Sequence, residues 1–228
     1  MNDDERKIIK SLNKIGVDVR YISLYENNIY INNLKFSKFS KKKEEQFHEL
    51  YPEINVIRST LLQKICIKVS RTLKNQIKPR DIIYVKDSDA PEDILLRIVL
   101  EPYRRKYGIK ITHTKTCDVI VAKSTYLNQF IDEYFNLMTS ANKIEDNRVE
   151  NEIYPLEDID YTWIIDWINS TQLKYTKNNY QPKDEIIKLN EFIDEHIPNY
   201  KQSIKQSVKY LNRKEWWYNG SKYNRRNI

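Results

Sequence analysis

Six consecutive residues, Ser88, Asp89, Ala90, Pro91, Glu92 and Asp93, stand between an apolar run, Ile82 to Val85, and a stretch of helical periodicity that begins near Pro91. A strand that feeds a helix aims backbone N–H groups and the positive end of the helix dipole at whatever lies in front, which makes the junction a natural anion site. This junction contains no glycine. Asp89, Glu92 and Asp93 fill the space that an anion would take, and a phosphate about 4 Å from one of them would be opposed by roughly 1 to 4 kcal/mol per charge pair. Pro91 lacks an N–H but suits the first helical position, and Glu92 and Asp93 suit the dipole. Two readings stay open: a well-capped helix start that needs no ligand, or three carboxylates that hold Mg²⁺.

A second group lies near the C-terminus, where Lys209, Arg213, Lys214, Lys222, Arg225 and Arg226 are mixed with Trp216, Trp217, Tyr218 and Tyr223. Cations neutralise phosphates and rings stack on unpaired bases, so the mixture fits an RNA surface. The competing reading has both tryptophans anchoring the tail to the core. Arg104-Arg105-Lys106 is expected to be a set of cations at a helix C-terminus.

The elements that must position these groups read as α/β. Residues 4 to 15 place Ile8, Leu12 and Ile15 on one helical face, closed by Gly16. Val17, Val19 and Tyr21, then Ile29 and Ile31, alternate around Asn27-Asn28 as a hairpin. Lys35 to Lys43 reads as a basic linker, with a phosphate-tracking contact as the alternative. A helix is expected from Ile54 to about Gln76, then strand 81–85, a helix from Pro91 to Lys106, and strands 109–112 and 118–122. A helix joining two strands in this way makes a parallel βαβ unit. Leu127 to Thr139 is a helix burying Phe130, Ile131, Tyr134, Phe135 and Met138. Residues 140–152 form a surface loop, Tyr161 to Asn169 is a helix, and 184–211 is helical with a break at Pro198.

At 228 residues, with 31% charged and 40% hydrophobic residues, the chain has the composition of a folded protein with one main core. The absence of a long apolar run or an apolar leader predicts a cytoplasmic protein without a membrane partner. A net charge of +7 favours polyanions. Cys66 and Cys117 form no CxxC pair, and His48, His113 and His196 are scattered, so no metal spacing exists and both cysteines are expected to be small buried residues.

In its order of segments, the stretch 54–211 resembles the PP-loop (N-type) ATP pyrophosphatase superfamily, in its tRNA-thiolating branch. Arg80 to Leu96 looks like the family's strand, loop and helix, with the loop motif SGGxDS falling on Ser88, Asp89, Ala90, Pro91, Glu92 and Asp93; the serine survives and Glu92 is an acidic stand-in. Asp118 to Ser140 resembles the later stretch AxGHxxDDQ…NLLRG, with Lys123-Ser124 for Gly-His and Leu127-Asn128 for the paired aspartates, while Gln129 and Asn136-Leu137 remain. Ile153-Tyr-Pro-Leu resembles the family's RPL turn, with Tyr154 for arginine, and Leu189 to Leu211 its C-terminal helices.

The resemblance implies a parallel sheet of about four to five strands flanked by helices, smaller than usual because five residues separate strands 109–112 and 118–122. It also implies a degenerate nucleotide site at Ser88, Asp89, Ala90, Glu92, Asp93, Asn128 and Gln129. In the family, loop glycines wrap the pyrophosphate of ATP, acidic residues hold Mg²⁺, and a uridine or cytidine is adenylated before sulfur arrives. The cysteines of the thiolating enzymes have no counterpart here. The expectation is a non-catalytic subunit or tRNA-binding partner in tRNA thiolation, acting beside an intact PP-loop protein, with no cofactor unless the loop still takes ATP and Mg. The alternatives are an active thiolating enzyme with a variant loop and an RNA- or DNA-binding module without nucleotide chemistry. The expected division is 1–45 as N-terminal helix, hairpin and linker, 46–212 as PP-loop-like domain, and 213–228 as basic tail.

Overall fold

The computed structural model describes residues 3–140, 151–177, 180–208 and 210. Two compact units divide the chain: Met1–Tyr126 with Glu150–Asn178, and Leu127–Val149 with Asn179–Ile228.

In the first unit, helix α1 (Asp3–Lys14) carries three acids in its first turn and a lysine in its last, both favoured by the dipole, and Gly16 closes it at φ +77°. Strands β1 (Ile22–Tyr25) and β2 (Asn28–Ile31) pair antiparallel, and β2 pairs in parallel with β3 (Asn55–Ile57). Successive side chains of a strand face opposite ways. Ile29 and Ile31 therefore join Leu12, Phe39 and Phe47 in one core, while Tyr30 enters the other and meets Trp167 edge-on at 5.6 Å.

Three expectations fail in this region. Val19–Tyr21 is a 3-10 turn capped by Asp18 and not part of the hairpin. The basic stretch Lys35–Lys43 is no linker: it enters helices α2 (Leu34–Ser37) and α3 (Lys41–His48), which Asn33 and Ser40 cap. Phe39, buried between them, ties the lysine-rich stretch to the core. The long helix expected from Ile54 begins at Thr60, after the Ser59 cap, because 55–57 is drawn into β3; α4 spans Thr60–Thr72.

The central sheet holds β4 (Ile82–Val85), β5 (Lys110–Thr112), β6 (Ile120–Ala122) and β7 (Glu152–Ile153) in the order β5-β4-β6-β7, all parallel. A parallel α/β sheet flanked by helices is as expected, with four strands where about four to five were expected. Helix α5 (Pro91–Leu100) returns from β4, and α8 (Tyr161–Thr171) packs against it. The expected helix 91–106 is divided, because Pro102 interrupts it before α6 (Tyr103–Lys106).

Pro102 has no N–H to offer the carbonyl of Ile98, four residues back. The buried Ser23 hydroxyl, reaching over from β1, donates to Ile98 O at 2.5 Å instead. Arg105 completes the joint by donating to Val19 O at 2.8 Å, Ile22 O at 2.7 Å and the carboxylate of Glu101. It acts as a bolt between the N-terminal sheet and α5–α6, which is more than a cation at a helix end.

The second unit holds α7 (Leu127–Thr139) and α9 (Asp184–His196), with further helical residues from 200 to 208 after the expected break near Pro198. Leu127, Ile131, Phe135, Ile186 and Tyr200 form its core, while Met138, expected inside, is exposed. Buried Asp132 accepts from Asn190 Nδ2 at 2.7 Å and from the Tyr180 hydroxyl at 3.2 Å.

Candidate functional site

The chain passes from β4 to β5 on one side and then to β6 on the other, so the strand order reverses at β4. Open parallel sheets bind ligands in the crevice at the carboxyl end of such a strand. The segment 86–90, between β4 and α5, lies there.

This segment is engaged by its own chain. Arg97, in the second turn of α5, folds back so that Nη1 donates to Asp87 Oδ1 at 2.5 Å and Nη2 donates to Ser88 O at 2.8 Å. The same Nη2 lies 3.9 Å from Asp89 Oδ1, and the guanidinium sits over the Tyr25 ring at 5.5 Å. From the other side Thr176 N–H donates to Asp89 O at 2.9 Å.

Two backbone donors at this junction are also engaged. Ala90 N–H goes to Ser88 Oγ at 3.2 Å, Asp93 N–H goes to Ala90 O at 3.0 Å, and Pro91 has none. None of residues 86–90 has a positive φ, so the loop does not use the strained dihedrals that glycine would admit. Ala90 supplies no side-chain cap. The expected well-capped helix start thus depends on Ser88 Oγ and on Arg97, which spacing alone did not reveal.

The acidic residues do not converge. Asp89 is exposed, whereas Glu92 and Asp93 are buried in the first turn, with Lys86 Nζ 3.9 Å from Asp93. Among the described residues no group of three His, Cys, Asp or Glu is placed to hold a metal ion, so the reading of Asp89, Glu92 and Asp93 as a joint Mg²⁺ site is corrected. Tyr161, stacked on Tyr126 at 4.7 Å, has its hydroxyl pushed above its usual range by burial and then by the charge of Glu92.

Lys123 and Tyr154 share one partner, Glu152. Lys123, at the end of β6, pairs with Glu152 Oε1 at 3.1 Å, and the Tyr154 hydroxyl donates to Glu152 Oε2 at 2.6 Å. Burial would raise the Glu152 carboxyl, but Tyr154 and Lys123, with Lys115 behind them, hold it below its ordinary range. His113, unmarked by any motif, stands after β5; since a carbonyl only accepts, its Nδ1 carries the proton and donates to Val85 O at 2.9 Å.

Ser88, Asp89, Ala90, Glu92 and Asp93 are thus adjacent at the crevice, whereas Asn128 and Gln129 belong to the first turn of α7, in the second unit. Lys209, Arg213, Lys214, Trp216, Trp217, Lys222, Arg225 and Arg226 lie outside the described residues, as does most of the loop expected at 140–152. Cys117 is exposed, against the expectation of burial; Cys66 is partly covered, and burial pushes its thiol up to about 12. No described helix is long and apolar enough to cross a membrane.

No family model matches the chain. A probable sulfurtransferase of Methanocaldococcus jannaschii is 34% identical over 93 residues, which are 40% of this chain and 27% of the relative, so the match spans about a quarter of that protein's length. The U34-tRNA thiolase NcsA of Methanococcus maripaludis, solved with its [4Fe-4S] cluster, superposes with a TM-score of 0.55 at 12% identity, covering 73% of this chain and 84% of that one. Such a cluster is ordinarily held by four cysteine thiolates. This chain has two cysteines, one exposed and one a thiol held protonated by burial, so its own residues do not fit that cluster. The fold that these strands and helices build is similar to that of this U34-tRNA thiolase.

Proposed function

We propose that the chain is a PP-loop-fold protein of tRNA thiolation whose nucleotide loop has closed on itself, and that it serves as a non-catalytic, tRNA-binding subunit in the cytoplasm beside an intact PP-loop protein. The observation that carries this reading is the engagement of segment 86–90 by Arg97 and Thr176, together with the engaged N–H groups of Ala90 and Asp93. A pyrophosphate cradle needs several free N–H groups converging on one point. The likeness to a tRNA thiolase and, over 93 residues, to a probable sulfurtransferase supports the pathway. The net charge of +7 supports a polyanionic partner.

The reading is tested by incubating the full chain with bulk tRNA and Mg-ATP. Retention of tRNA without release of pyrophosphate is expected. Pyrophosphate release that Glu92→Ala abolishes would establish an active enzyme with a variant loop. Salt-sensitive binding of any nucleic acid, with no preference for tRNA, would leave a general binding module instead.

A further inference from the structure

Helix α5 runs back from the carboxyl end of β4, which places α6 and the start of β5 at the opposite edge of the sheet. At that edge, within the first unit, a cavity of about 350 Å³ opens between α4, α6 and the N-terminal module. Its size is that of a small-molecule site. Its charged lining consists of Arg20, Arg71 and Lys106, without a carboxylate among the described lining residues. Asp18 pairs with Arg20 at 2.7 Å, but Arg71 and Lys106 have no ion pair among the described residues.

Aromatic rings accompany the cations. Lys106 Nζ lies 5.9, 5.6 and 5.4 Å from the ring centroids of Tyr21, Tyr103 and Tyr107. Phe36, 51% exposed, rests against Tyr21 with centroids 5.2 Å apart. An exposed ring beside unpaired cations is suited to a planar base carrying a phosphate.

Asn32 adds a directional feature. The single Ser23 hydroxyl proton goes to Ile98 O, so Ser23 Oγ accepts from Asn32 Nδ2 at 2.8 Å, and this fixes the amide's orientation. Asn32 is 8% exposed and lines the cavity, and its Oδ1 is left without a donor. An N–H of a base is the kind of group that would satisfy it. Cys66 also lines the cavity, but its thiol stays protonated at neutral pH and serves as wall, not nucleophile.

We propose that this cavity is a nucleotide-binding site, taking a base against Phe36 and Tyr21 and its phosphate at Arg71 and Lys106, whether as a free nucleoside monophosphate or as one nucleotide of an RNA strand. The site stands apart from segment 86–90 and does not depend on that loop being closed.

Calorimetric titration of the full chain with AMP, CMP, GMP, UMP, adenosine, inorganic phosphate and a single-stranded RNA hexamer tests it, beside the variant Arg71→Gln/Lys106→Gln. Both replaced side chains are exposed, and circular dichroism checks that the variant folds. Saturable binding of at least one monophosphate is expected, weakened about tenfold or more in the variant, with adenosine and phosphate each at least about tenfold weaker than the nucleotide. Tighter binding of the hexamer, lost in the same variant, would assign the source as a strand; no gain over the monophosphate would assign a free nucleotide. No saturable binding by any probe, binding that the variant leaves unchanged, or phosphate binding as tight as nucleotide binding would overturn the proposal.

Discussion

The two edges of the central sheet differ in what they do with their polar groups. At the carboxyl edge, segment 86–90 is held by its own chain: Arg97 holds Asp87 and Ser88, Thr176 holds Asp89, and Ser88 holds Ala90. At the opposite edge, Arg71 and Lys106 have no ion pair among the described residues, and Asn32 Oδ1 has no donor. In an open α/β sheet the first edge is where a ligand is expected. The location of a crevice is therefore weaker evidence for binding than the state of its donors and acceptors.

The largest expected effect breaks the open edge. Arg105→Ala removes the donors to Val19 O and Ile22 O and strands the buried carboxylate of Glu101. A loss of about 3 kcal/mol in denaturant stability is expected, because an uncompensated buried charge is left behind. A loss below about 1 kcal/mol would show that the N-terminal module is not bolted through this residue.

Ser23→Ala should cost about 2 kcal/mol by leaving Ile98 O and Asn32 without their partner. Adding Pro102→Ala returns an N–H four residues after Ile98. The double variant should then be less destabilised than the two single losses added together, and strict additivity would contradict the link between proline and serine.

At the closed edge, Arg97→Ala should cost about 1 to 2 kcal/mol and speed amide exchange at residues 88 to 94. Unchanged exchange there would mean that the loop is held by Thr176 alone.

The smallest effect contrasts one carboxylate in each unit. Glu152 is held below its ordinary range, so it contributes stability that is present above its unfolded pKa and is lost as pH falls through the lower folded value. Glu152→Gln should flatten that acid limb. Burial raises Asp132, against the hydrogen bonds from Asn190 and Tyr180. Its contribution is full below the unfolded pKa and is lost as pH rises through the folded value, so Asp132→Asn should remove a decline in stability on the other side of the usual carboxylate range. Parallel pH profiles for both variants would contradict the assignment.

Helix Leu127–Thr139 and strand Ile82–Val85 were legible because each carries a long or unbroken apolar signal inside its own segment. Strand β3 was not, since three residues hold too little periodicity to outweigh the helical pattern that follows. The helices within the lysine-rich stretch depend on caps at Asn33 and Ser40 and on Phe39, whose burial is decided by α3 and the sheet.

The candidate site was legible as an acidic, glycine-free loop, but Arg97 was missed because its partners lie eight to ten residues back, a distance that no helical or strand repeat marks. The pairing of Lys123 and Tyr154 on Glu152 was missed for the same reason, since it joins two strands. The cavity at the opposite edge draws on residues from 20 to 106 and has no local signature.

The closed loop is tested most directly by calorimetric titration with Mg-ATP of the chain carrying Arg71→Gln and Lys106→Gln, so that only segment 86–90 is left to respond. No saturable binding is predicted. Saturable, Mg-dependent binding that Asp89→Ala or Glu92→Ala abolishes would contradict the closed loop and restore ATP chemistry to this edge of the sheet.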